Sequence, residues 1–440
     1  MNELKEIRAD FQELFEQSKD EFIEDFRKLV QIPSVNGNKT YQAPFGIGPK
    51  RALEYLLALS KKLGFRTGQA ADCVGWAEYG PGASEADEYF GVLGHSDVVD
   101  VVDDWNYPPF DLTLKDGYFY GRGVLDNKGP LLSTLFALYL IKKQGIPLKK
   151  RVRIMFGTDE EMGSRDIPLF LKEEKPPYAG FTPDCKFPIV YGERGIVDLT
   201  INTPITDGSL TQIDQLDGVF NRSFIPDYAT VTVNGQTTEF HGKKAPSNAP
   251  DLADNVLPKL VKQLSKLDGQ TGTVFQWLTG KIGEQYDGQN LGLNFHDEDS
   301  GDLQLSFYSV QVKDDVISFS LSMRYPVTFT EETILQQLKS QLLESMELKI
   351  NRSFKSTVKD KDLAYMQRFS KIYEADTGLD GTPVTTTGAT YAREMPNIVA
   401  FGPSFPGQKG IAHKGDEWLK YSDWQMMMQI YYDCFIAELC

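Results

Sequence analysis

Apolar residues recur every three to four positions in several stretches of this chain, a spacing that predicts helices with one buried face. The first such stretches cover residues 3–29, 50–63, 131–144 and 167–173. Short apolar runs of strand length lie among them, at residues 89–93, 152–156 and 189–191. Strands that alternate with helices are typical of an α/β fold, so we expect a mixed, largely parallel sheet flanked by helices.

The pattern changes near residue 195, where apolar and polar residues begin to alternate. Alternating runs, a hairpin and two helical stretches follow, at residues 196–203, 229–234, 251–267, 303–312, 316–323 and 331–347. This order predicts an inserted α+β domain over residues 196–358. A helix, a strand and a helix then return the chain to the first domain, at residues 363–374, 398–401 and 416–439. We therefore expect the first domain to comprise residues 1–195 and 359–440.

The composition is that of an ordinary soluble protein. At about 150 residues per domain, a chain of 440 residues can form two or three cores. A net charge of −16 argues against nucleic acid or an anionic membrane surface as the main partner. The acidic N-terminus lacks an apolar signal segment, and four scattered cysteines without a CxxC pair indicate free thiols in a reducing compartment. These features predict a cytoplasmic protein of enzyme size.

A histidine and an aspartate follow the predicted strand at 89–93, in the segment Gly94-His95-Ser96-Asp97. Ligands bind at the carboxyl ends of strands in α/β sheets, so His95 is a candidate metal ligand. Asp97 is close enough in sequence to orient its imidazole. The segment alone also fits a loop histidine beside an incidental aspartate.

Carboxylates at two further places are candidates for a cation site. Asp126 precedes an apolar helix, where a carboxylate either binds a metal or is simply favourable at the helix N-terminus. Asp159, Glu160 and Glu161 follow the strand at 152–156, and adjacent carboxylates repel one another unless a cation is near or the turn is solvated. One of the two glutamates can bind a metal while the other acts as a base.

Asp184 and His413 carry little signal alone. Together with His95, Asp126 and Glu161 they have the composition of a two-zinc or two-manganese site. An aspartate shared by ions about 3.5–4 Å apart would suit the activation of water. Separation along the chain does not give distance in space, so the residues alone leave this site a hypothesis.

In their order, these segments resemble the co-catalytic metallopeptidase family of aminoacylases, succinyl-diaminopimelate desuccinylases, carnosinases and PepV-type dipeptidases. The resemblance covers nearly the whole chain from residue 29 onward. Several segments are similar to PepV-type dipeptidases in particular: Trp105 with Pro109-Phe110, Gly121-Arg122-Gly123, Asp126-Asn127-Lys128-Gly129-Pro130, Gly192-Glu193-Arg194-Gly195, Arg324-Tyr325-Pro326, Gly388-Ala389-Thr390-Tyr391-Ala392-Arg393 and Phe401-Gly402-Pro403. The family resemblance implies a zinc-peptidase-like catalytic domain with an inserted lid domain.

The resemblance also implies two divalent metal ions, with zinc as the first choice and manganese or cobalt as alternatives. By position, His95 and Asp184 would bind one ion, and Glu161 and His413 the other. Asp126 would bridge the two ions.

The same resemblance assigns catalytic roles to two acidic residues. Asp97 would support His95, and Glu160 would be the general base that generates a metal-bound hydroxide. The peptide bond between Asp126 and Asn127 would be cis.

Three residues outside the metal set match substrate-binding positions of the family. Arg324 would bind a substrate carboxylate, a task suited to a bidentate guanidinium. Gly388 would present a backbone N–H group to the same carboxylate, and Asn221 would lie near the substrate. Each residue also fits a structural alternative: a surface arginine on a strand, a glycine turn or a loop asparagine.

The chain departs from the family at the lid histidine that polarises the scissile carbonyl. The pattern G-x-x-A-H-x-x-x-P, with an asparagine five residues later, matches residues 242–250 and Asn255 without gaps, but Pro246 stands at the histidine position. Proline offers no donor, and the loss of one oxyanion donor costs about 10²–10³ in rate. His241 could reach the site from an altered loop, although this register favours a strand-end histidine. His296 matches nothing and is expected to be solvated.

We therefore predict a metal-dependent hydrolase of dipeptides. The alternative from another class is a peptide- or amino-acid-binding relative that hydrolyses little, and Pro246 favours it. Within the enzymes, an N-acyl amino acid deacylase is the other candidate. We expect a small dipeptide-like substrate, no nucleic acid or membrane partner, and a monomer or homodimer.

Overall fold

The computed structural model describes residues 2–82, 88–101 and 104–440. The chain forms two compact units, which are described separately. The first unit comprises Met1–Tyr191, Lys359–Val384 and Ala389–Cys440, and the second comprises Gly192–Val358 and Thr385–Gly388.

The described helices are α1 (Asn2–Val30), α2 (Ile47–Lys62), α3 (Lys128–Lys143), α4 (Asp166–Phe170), α5 (Val256–Leu264), α6 (Gly269–Lys281), α7 (Glu331–Lys339), α8 (Ala364–Thr377) and α9 (Tyr421–Leu439). Short 3₁₀ helices lie at Ser209–Gln212, Pro250–Leu252, Gln289–Leu291 and Tyr391–Arg393.

The described strands are β1 (Arg66–Ala70), β2 (Val74–Tyr79), β3 (Tyr89–His95), β4 (Thr113–Lys115), β5 (Tyr118–Tyr120), β6 (Arg151–Gly157), β7 (Ala179–Thr182), β8 (Cys185–Lys186), β9 (Ile189–Glu193), β10 (Gly195–Pro204), β11 (Ile213–Gly218), β12 (Phe224–Ile225), β13 (Tyr228–Val233), β14 (Gln236–His241), β15 (Ala245–Pro246), β16 (His296–Asp297), β17 (Gly301–Asp302), β18 (Gln304–Lys313), β19 (Val316–Tyr325), β20 (Glu347–Phe354), β21 (Thr357–Val358), β22 (Val384–Thr386), β23 (Ile398–Phe401), β24 (Pro403–Ser404) and β25 (Trp418–Lys420).

The main sheet of the first unit has the strand order β1-β2-β6-β3-β7-β23-β9. β3 runs parallel to β6 and β7, and β7 runs parallel to β23, whereas β1, β2 and β9 pair antiparallel toward the edges. The predicted α/β fold with a mixed sheet flanked by helices is confirmed. Because the four central strands are parallel, their carboxyl ends share one edge of the sheet, and the segments that follow them start there.

Helices cover both faces of this sheet. Side chains alternate along β3, so Phe90 and Val92 enter a core that α1, α3, α8 and α9 line. Tyr89 and Leu93 point the other way, into a smaller core that includes α4. Helix α3 is buried along nearly its whole length, which explains why its sequence is apolar on all sides. A helix held this firmly fixes the segment that leads into it.

The second unit contains a four-stranded antiparallel sheet in the order β18-β19-β10-β20 and a three-stranded sheet in the order β11-β13-β14. Apolar residues of β10 and β19, such as Leu199 and Phe319, form a core with α5, α6 and α7. Alternate positions of the same strands carry polar residues, among them Asp198 and Arg324.

Three predicted helices are shorter than expected, because backbone groups find other partners. The stretch predicted as a helix at 251–267 begins as α5 only after Asn255, whose side chain accepts the N–H of Leu257 as an N-cap. The helix predicted at 331–347 ends at Lys339, and the chain enters β20 at Glu347 to pair with β10. The helix predicted at 416–439 starts late because β25 pairs with β5 first.

Helix α6 was not predicted from the sequence. It contains three glycines, which lower helix propensity by about 1 kcal/mol each relative to alanine. Val274, Phe275 and Leu278 are nevertheless buried in the core of the second unit. Tertiary packing therefore overrides local propensity in this segment.

The four cysteines are all free, as the absence of a pairing pattern in the sequence predicts. In the part of the chain that the structure describes, no helix has both the length and the hydropathy to cross a membrane.

Candidate metal centre

His95 is the last residue of β3 and lies beside Gly157, the last residue of the parallel strand β6. Its side chain is fully buried. Nδ1 lies 2.9 Å from the carbonyl oxygen of Asp97, so an Nδ1–H group would donate to that carbonyl and leave Nε2 as the ligand atom. Nε2 lies 3.0 Å from Oδ1 of Asp126 and 3.5 Å from Oδ2 of Asp184.

Asp126 lies between two imidazoles. Its Oδ1 faces Nε2 of His95, and its Oδ2 lies 3.0 Å from Nε2 of His413. A carboxylate with one oxygen toward each histidine has the arrangement of a bridging ligand. The peptide bond to Asn127 is cis, as the resemblance implies.

Asn127 connects the segments around this carboxylate. Its Nδ2 donates to the carbonyl of Pro183 at 2.6 Å, and its Oδ1 accepts the backbone N–H of His95 at 3.3 Å. Asp184 follows Pro183 directly. One buried amide therefore fixes the segments of three predicted ligands relative to one another.

Glu160 and Glu161 lie in the turn that follows β6. Asp97 holds this turn, because its Oδ1 accepts the N–H of Glu160 and its Oδ2 accepts the N–H of Glu161, each at 3.2 Å. Oε2 of Glu161 lies 3.0 Å from Nε2 of His413. Asp97 therefore holds the turn by hydrogen bonds and contacts His95 through its backbone carbonyl, and its role as a support for His95 stays a prediction.

The structure brings all five predicted metal ligands and Glu160 into one cluster. Two sets of side chains place one ligand atom each within 4.8 Å of one another: His95 with Glu160 and Asp184, and His95 with Asp126 and Glu161. His413 joins through its contacts to Asp126 and Glu161.

Burial and mutual repulsion make the carboxylates of this cluster hard to ionise. Burial, together with the charge of Asp126, raises the pKa of Asp184 to about 7. Burial and Asp184 raise the pKa of Glu160 well above its ordinary value, and burial and Asp126 raise the pKa of Glu161. Positive charge nearby would offset the electrostatic cost of ionising these buried carboxylates.

The two histidines provide part of that positive charge. Although burial opposes the shift, hydrogen bonds from His413 and His95 hold the pKa of Asp126 well below its usual range. Burial also opposes protonation of His413, but the carboxylates of Glu161 and Asp126 raise its pKa to about 12. The two histidines can carry at most two positive charges, fewer than the four carboxylates of the cluster.

The donor set fits divalent cations. Among the described residues, the buried Oε1 of Glu161 has no hydrogen-bond partner, and an unpaired buried carboxylate oxygen is costly unless a cation completes it. Imidazole and carboxylate groups are ligands that zinc and manganese accept.

Glu417, which is buried beside the cluster, was not predicted from the sequence. Its carboxylate accepts the N–H groups of Gly123, Leu125 and Asp126 at 2.9–3.2 Å, and Arg122 Nη1 donates to it at 2.8 Å. Glu417 therefore ties the segment after His413 to the segment that carries Asp126. Backbone amides leave no residue-type signal, so only its place shortly after His413 could have drawn attention to it.

Lys128 is a second buried charge that the sequence did not reveal. Its Nζ donates to the carbonyls of Leu29 and Ile32 at 3.1 and 2.8 Å, and burial lowers its pKa to about 7. These bonds attach the start of α3 to the end of α1.

The three predicted substrate-binding residues belong to the second unit and have local partners there. Arg324 is buried, its Nη1 donates to Oγ of Ser322 at 2.7 Å, and it lies 3.8 Å from Oδ1 of Asp198. Oδ1 of Asn221 accepts the backbone N–H of Ser223 at 2.8 Å. The N–H of Gly388 donates to Oγ1 of Thr386 at 3.2 Å. Their role in substrate binding stays a prediction.

Pro246 lies in β15, opposite Phe224 of β12. Asn255, which fixes the register of the lid pattern, caps α5 and donates from Nδ2 to the carbonyl of Phe307 at 2.7 Å. His241 ends β14, as predicted, with 71% of its side chain exposed. His296 is exposed, with 53% of its side chain accessible, as expected, and its Nδ1 lies 2.9 Å from Oδ1 of Asp302.

Comparison with known proteins agrees with this fold. Residues 91–437 match the profile of "Peptidase family M20/M25/M40". A Bacillus subtilis (strain 168) protein named "Putative dipeptidase YtjP" is 30% identical over 442 residues, covering 92% of this chain and 94% of the relative. The protein is therefore a metallopeptidase. It belongs to peptidase family M20, which confirms the family that the sequence resembles.

Two solved structures share the fold. Human carnosine dipeptidase 1 superposes with a TM-score of 0.63 at 15% identity, covering 98% of each chain. The Bacillus subtilis YXEP protein, described as a dinuclear metal binding peptidase from the M20 family, gives a TM-score of 0.55 at 12% identity, covering 96% of this chain and 98% of its own.

Proposed function

We propose that this enzyme hydrolyses the amide bond of dipeptides and that its cluster of histidines and carboxylates binds two divalent cations. The position of Asp126, with one oxygen toward each of two imidazoles, carries the proposal. A relative named as a dipeptidase and a structural neighbour that is a carnosine dipeptidase support the substrate class.

Five residues would hold the cations. His95 and Asp184 would bind one ion and Glu161 and His413 the other, with Asp126 shared. When bound, such ions polarise a carbonyl group and lower the pKa of water. Zinc is the first candidate, because imidazole and carboxylate ligands suit it, and manganese or cobalt are the alternatives.

Glu160 is the proposed general base. Its carboxylate lies within the same group of ligand atoms as His95 and Asp184, and its turn is held by Asp97. It would take a proton from water and deliver it to the nitrogen of the leaving amine.

The second unit is the proposed source of substrate recognition. Arg324 would bind the free carboxylate of the dipeptide, Gly388 would donate an N–H group to it, and Asn221 would contact the substrate. In this proposal residues 196–358 form a lid domain inserted into a catalytic domain of residues 1–195 and 359–440.

Pro246 favours a second, weaker candidate function. A lid without an oxyanion donor would bind peptides but hydrolyse them slowly. Hydrolysis of N-acyl amino acids is the alternative within the same chemistry.

A panel of dipeptides and N-acyl amino acids, assayed with the zinc- or manganese-loaded enzyme, tests the proposal. We expect dipeptides to be cleaved fastest, and we expect Glu160→Ala to lower kcat by about 10²–10⁴-fold while metal binding is retained. Glu54→Ala, on the exposed side of α2, is the control and should leave kcat unchanged. Metal uptake with no hydrolysis above that of Glu160→Ala would contradict the proposal. Faster cleavage of N-acyl amino acids than of dipeptides would show that N-acyl amino acids are the substrate class instead.

A further inference from the structure

Tyr391 is a fully buried tyrosine that the catalytic proposal does not use. Its ring lies edge-to-face against the imidazole of His95, with ring centroids 6.3 Å apart and planes at 79°. Its hydroxyl donates to Oδ2 of Asp166 at 2.6 Å. One side chain therefore contacts a candidate metal ligand at one end and a buried carboxylate at the other.

Asp166 closes the turn that carries the proposed base. It is the first residue of α4, is fully buried, and accepts the N–H of Thr158 at Oδ2 with a distance of 2.8 Å. Thr158 starts the turn that contains Glu160 and Glu161. Asp166 holds this turn at its base, whereas Asp97 holds it at its tip.

The backbone is shaped to admit the tyrosine. A Cβ atom at Gly157 would come within 2.1 Å of the Tyr391 hydroxyl oxygen. Gly157 is also the residue that lies beside His95 across the two parallel strands. A side chain at this position would displace the hydroxyl from Asp166.

We propose that Tyr391 and Asp166 are positioning residues that fix the His95 imidazole and the Glu160–Glu161 turn relative to each other. The Tyr391 ring restricts rotation of the imidazole, and its hydroxyl holds the carboxylate that closes the turn. Residues that orient metal ligands in this way typically change metal affinity or activity by about 10–100-fold when they are replaced. The kinetic part of this inference rests on the proposed function, whereas the metal-binding part does not require turnover.

Tyr391→Phe tests the hydroxyl alone, because it keeps the ring against His95. Tyr432→Phe is the matched control. Tyr432 is also fully buried, and its hydroxyl donates to Oε1 of Gln144 at 2.8 Å, at the C-terminal end of α3, whereas the cluster lies at the N-terminal end of that helix. The readouts are kcat and KM for a dipeptide, the affinity for Zn²⁺ in competition with a chromophoric chelator, and amide hydrogen exchange at residues 158–161 of the metal-free protein.

For Tyr391→Phe we expect kcat about 10–100-fold lower with KM within about twofold, Zn²⁺ binding about tenfold weaker, and faster exchange in the turn. Tyr432→Phe should match the wild type in all three. Asp166→Ala should show the same pattern. Adding Tyr391→Phe to it should change less than Tyr391→Phe alone does, because the hydroxyl has then lost Asp166 and keeps the 3.5 Å contact with the N–H of Asp159.

Zn²⁺ affinity and exchange of Tyr391→Phe equal to those of Tyr432→Phe would overturn the inference. If the wild type cleaves no dipeptide, the proposed function is wrong. The Zn²⁺ affinity and amide exchange data would then still decide whether Tyr391 positions the cluster. If Tyr391→Phe does not fold, the same readouts on Asp166→Ala decide, and values equal to the wild type would overturn the inference.

Discussion

The two units of this protein differ in how their polar side chains find partners. In the first unit, four carboxylates and two imidazoles lie together at the edge of the mixed sheet where its parallel strands end. In the second unit, Arg324 lies near Asp198 and bonds to Ser322, while Asn221 caps its own turn.

This difference shows where geometry alone indicates function. Clustered carboxylates at the first site repel one another and need a cation, so their arrangement has no simple structural explanation. The contacts of Arg324 and Asn221 are of the kind that stabilise any folded domain. The proposed chemistry therefore rests on geometry in the first unit and on resemblance in the second.

Asp126→Ala should have the largest effect, because it removes the carboxylate that faces both histidines. We expect kcat/KM for a dipeptide to fall by about 10³-fold or more, and binding of the second metal ion to be lost. Steady-state kinetics and metal analysis of the dialysed protein measure both. Asp20→Ala on the exposed side of α1 is the control, and equal behaviour of the two variants would show that the cluster is not the active centre.

Pro246→His tests the second unit, because it would supply the hydrogen-bond donor that is missing from the lid pattern. If the register of the lid pattern is right, kcat should rise by about 10²–10³-fold. Pro246→Ala, which supplies no donor, should not raise kcat. Loss of a robust wild-type activity in His241→Ala would instead show that the register is wrong and that His241 acts as the donor.

Glu417→Gln tests whether the buried charge of Glu417 supports metal binding or only the stability of the fold. Breaking its pair with Arg122 should lower the free energy of unfolding by about 3–5 kcal/mol and weaken Zn²⁺ binding by about 10–100-fold. Denaturant titration and chelator competition measure the two effects.

Glu438→Gln is the matched control for that variant, because Glu438 is also buried and pairs with Lys150 and Arg368. It should lower stability while leaving Zn²⁺ affinity unchanged. Equal losses of Zn²⁺ affinity in both variants would mean that Glu417 acts on the site only through overall stability.

Arg324→Ala should have the smallest of these effects and should appear mainly in KM. Loss of a charged hydrogen bond of about 1.5–3 kcal/mol to the substrate carboxylate predicts KM about 10–100-fold higher with kcat little changed. Arg352→Ala removes the other arginine that pairs with Asp198 and controls for that structural contact. Equal KM and kcat values for the two variants would show that Arg324 has only a structural role.

The part of the site that follows strand ends was predictable from the sequence. His95 and Glu161 come after predicted strands, and parallel strands bring such positions to one edge of a sheet. Asp184 follows β7, which was not predicted, and His413 follows no strand of that kind, so only the resemblance to a family placed these two residues in the set.

Residues that act through backbone groups were not predictable. Glu417 bonds to three amides nearly three hundred positions away, and Asp166 bonds to the amide of Thr158. The fold shows the same limit: α7 ends early because the chain pairs with β10 instead, a competition that local periodicity does not contain.

Titration of the metal-free enzyme with Zn²⁺, with dipeptide hydrolysis followed at each step, is the most direct test that this cluster is a catalytic centre of two metal ions. We expect two ions to bind per chain and hydrolysis to rise as the sites fill. One ion or none at saturation, or hydrolysis that persists in excess chelator, would contradict it.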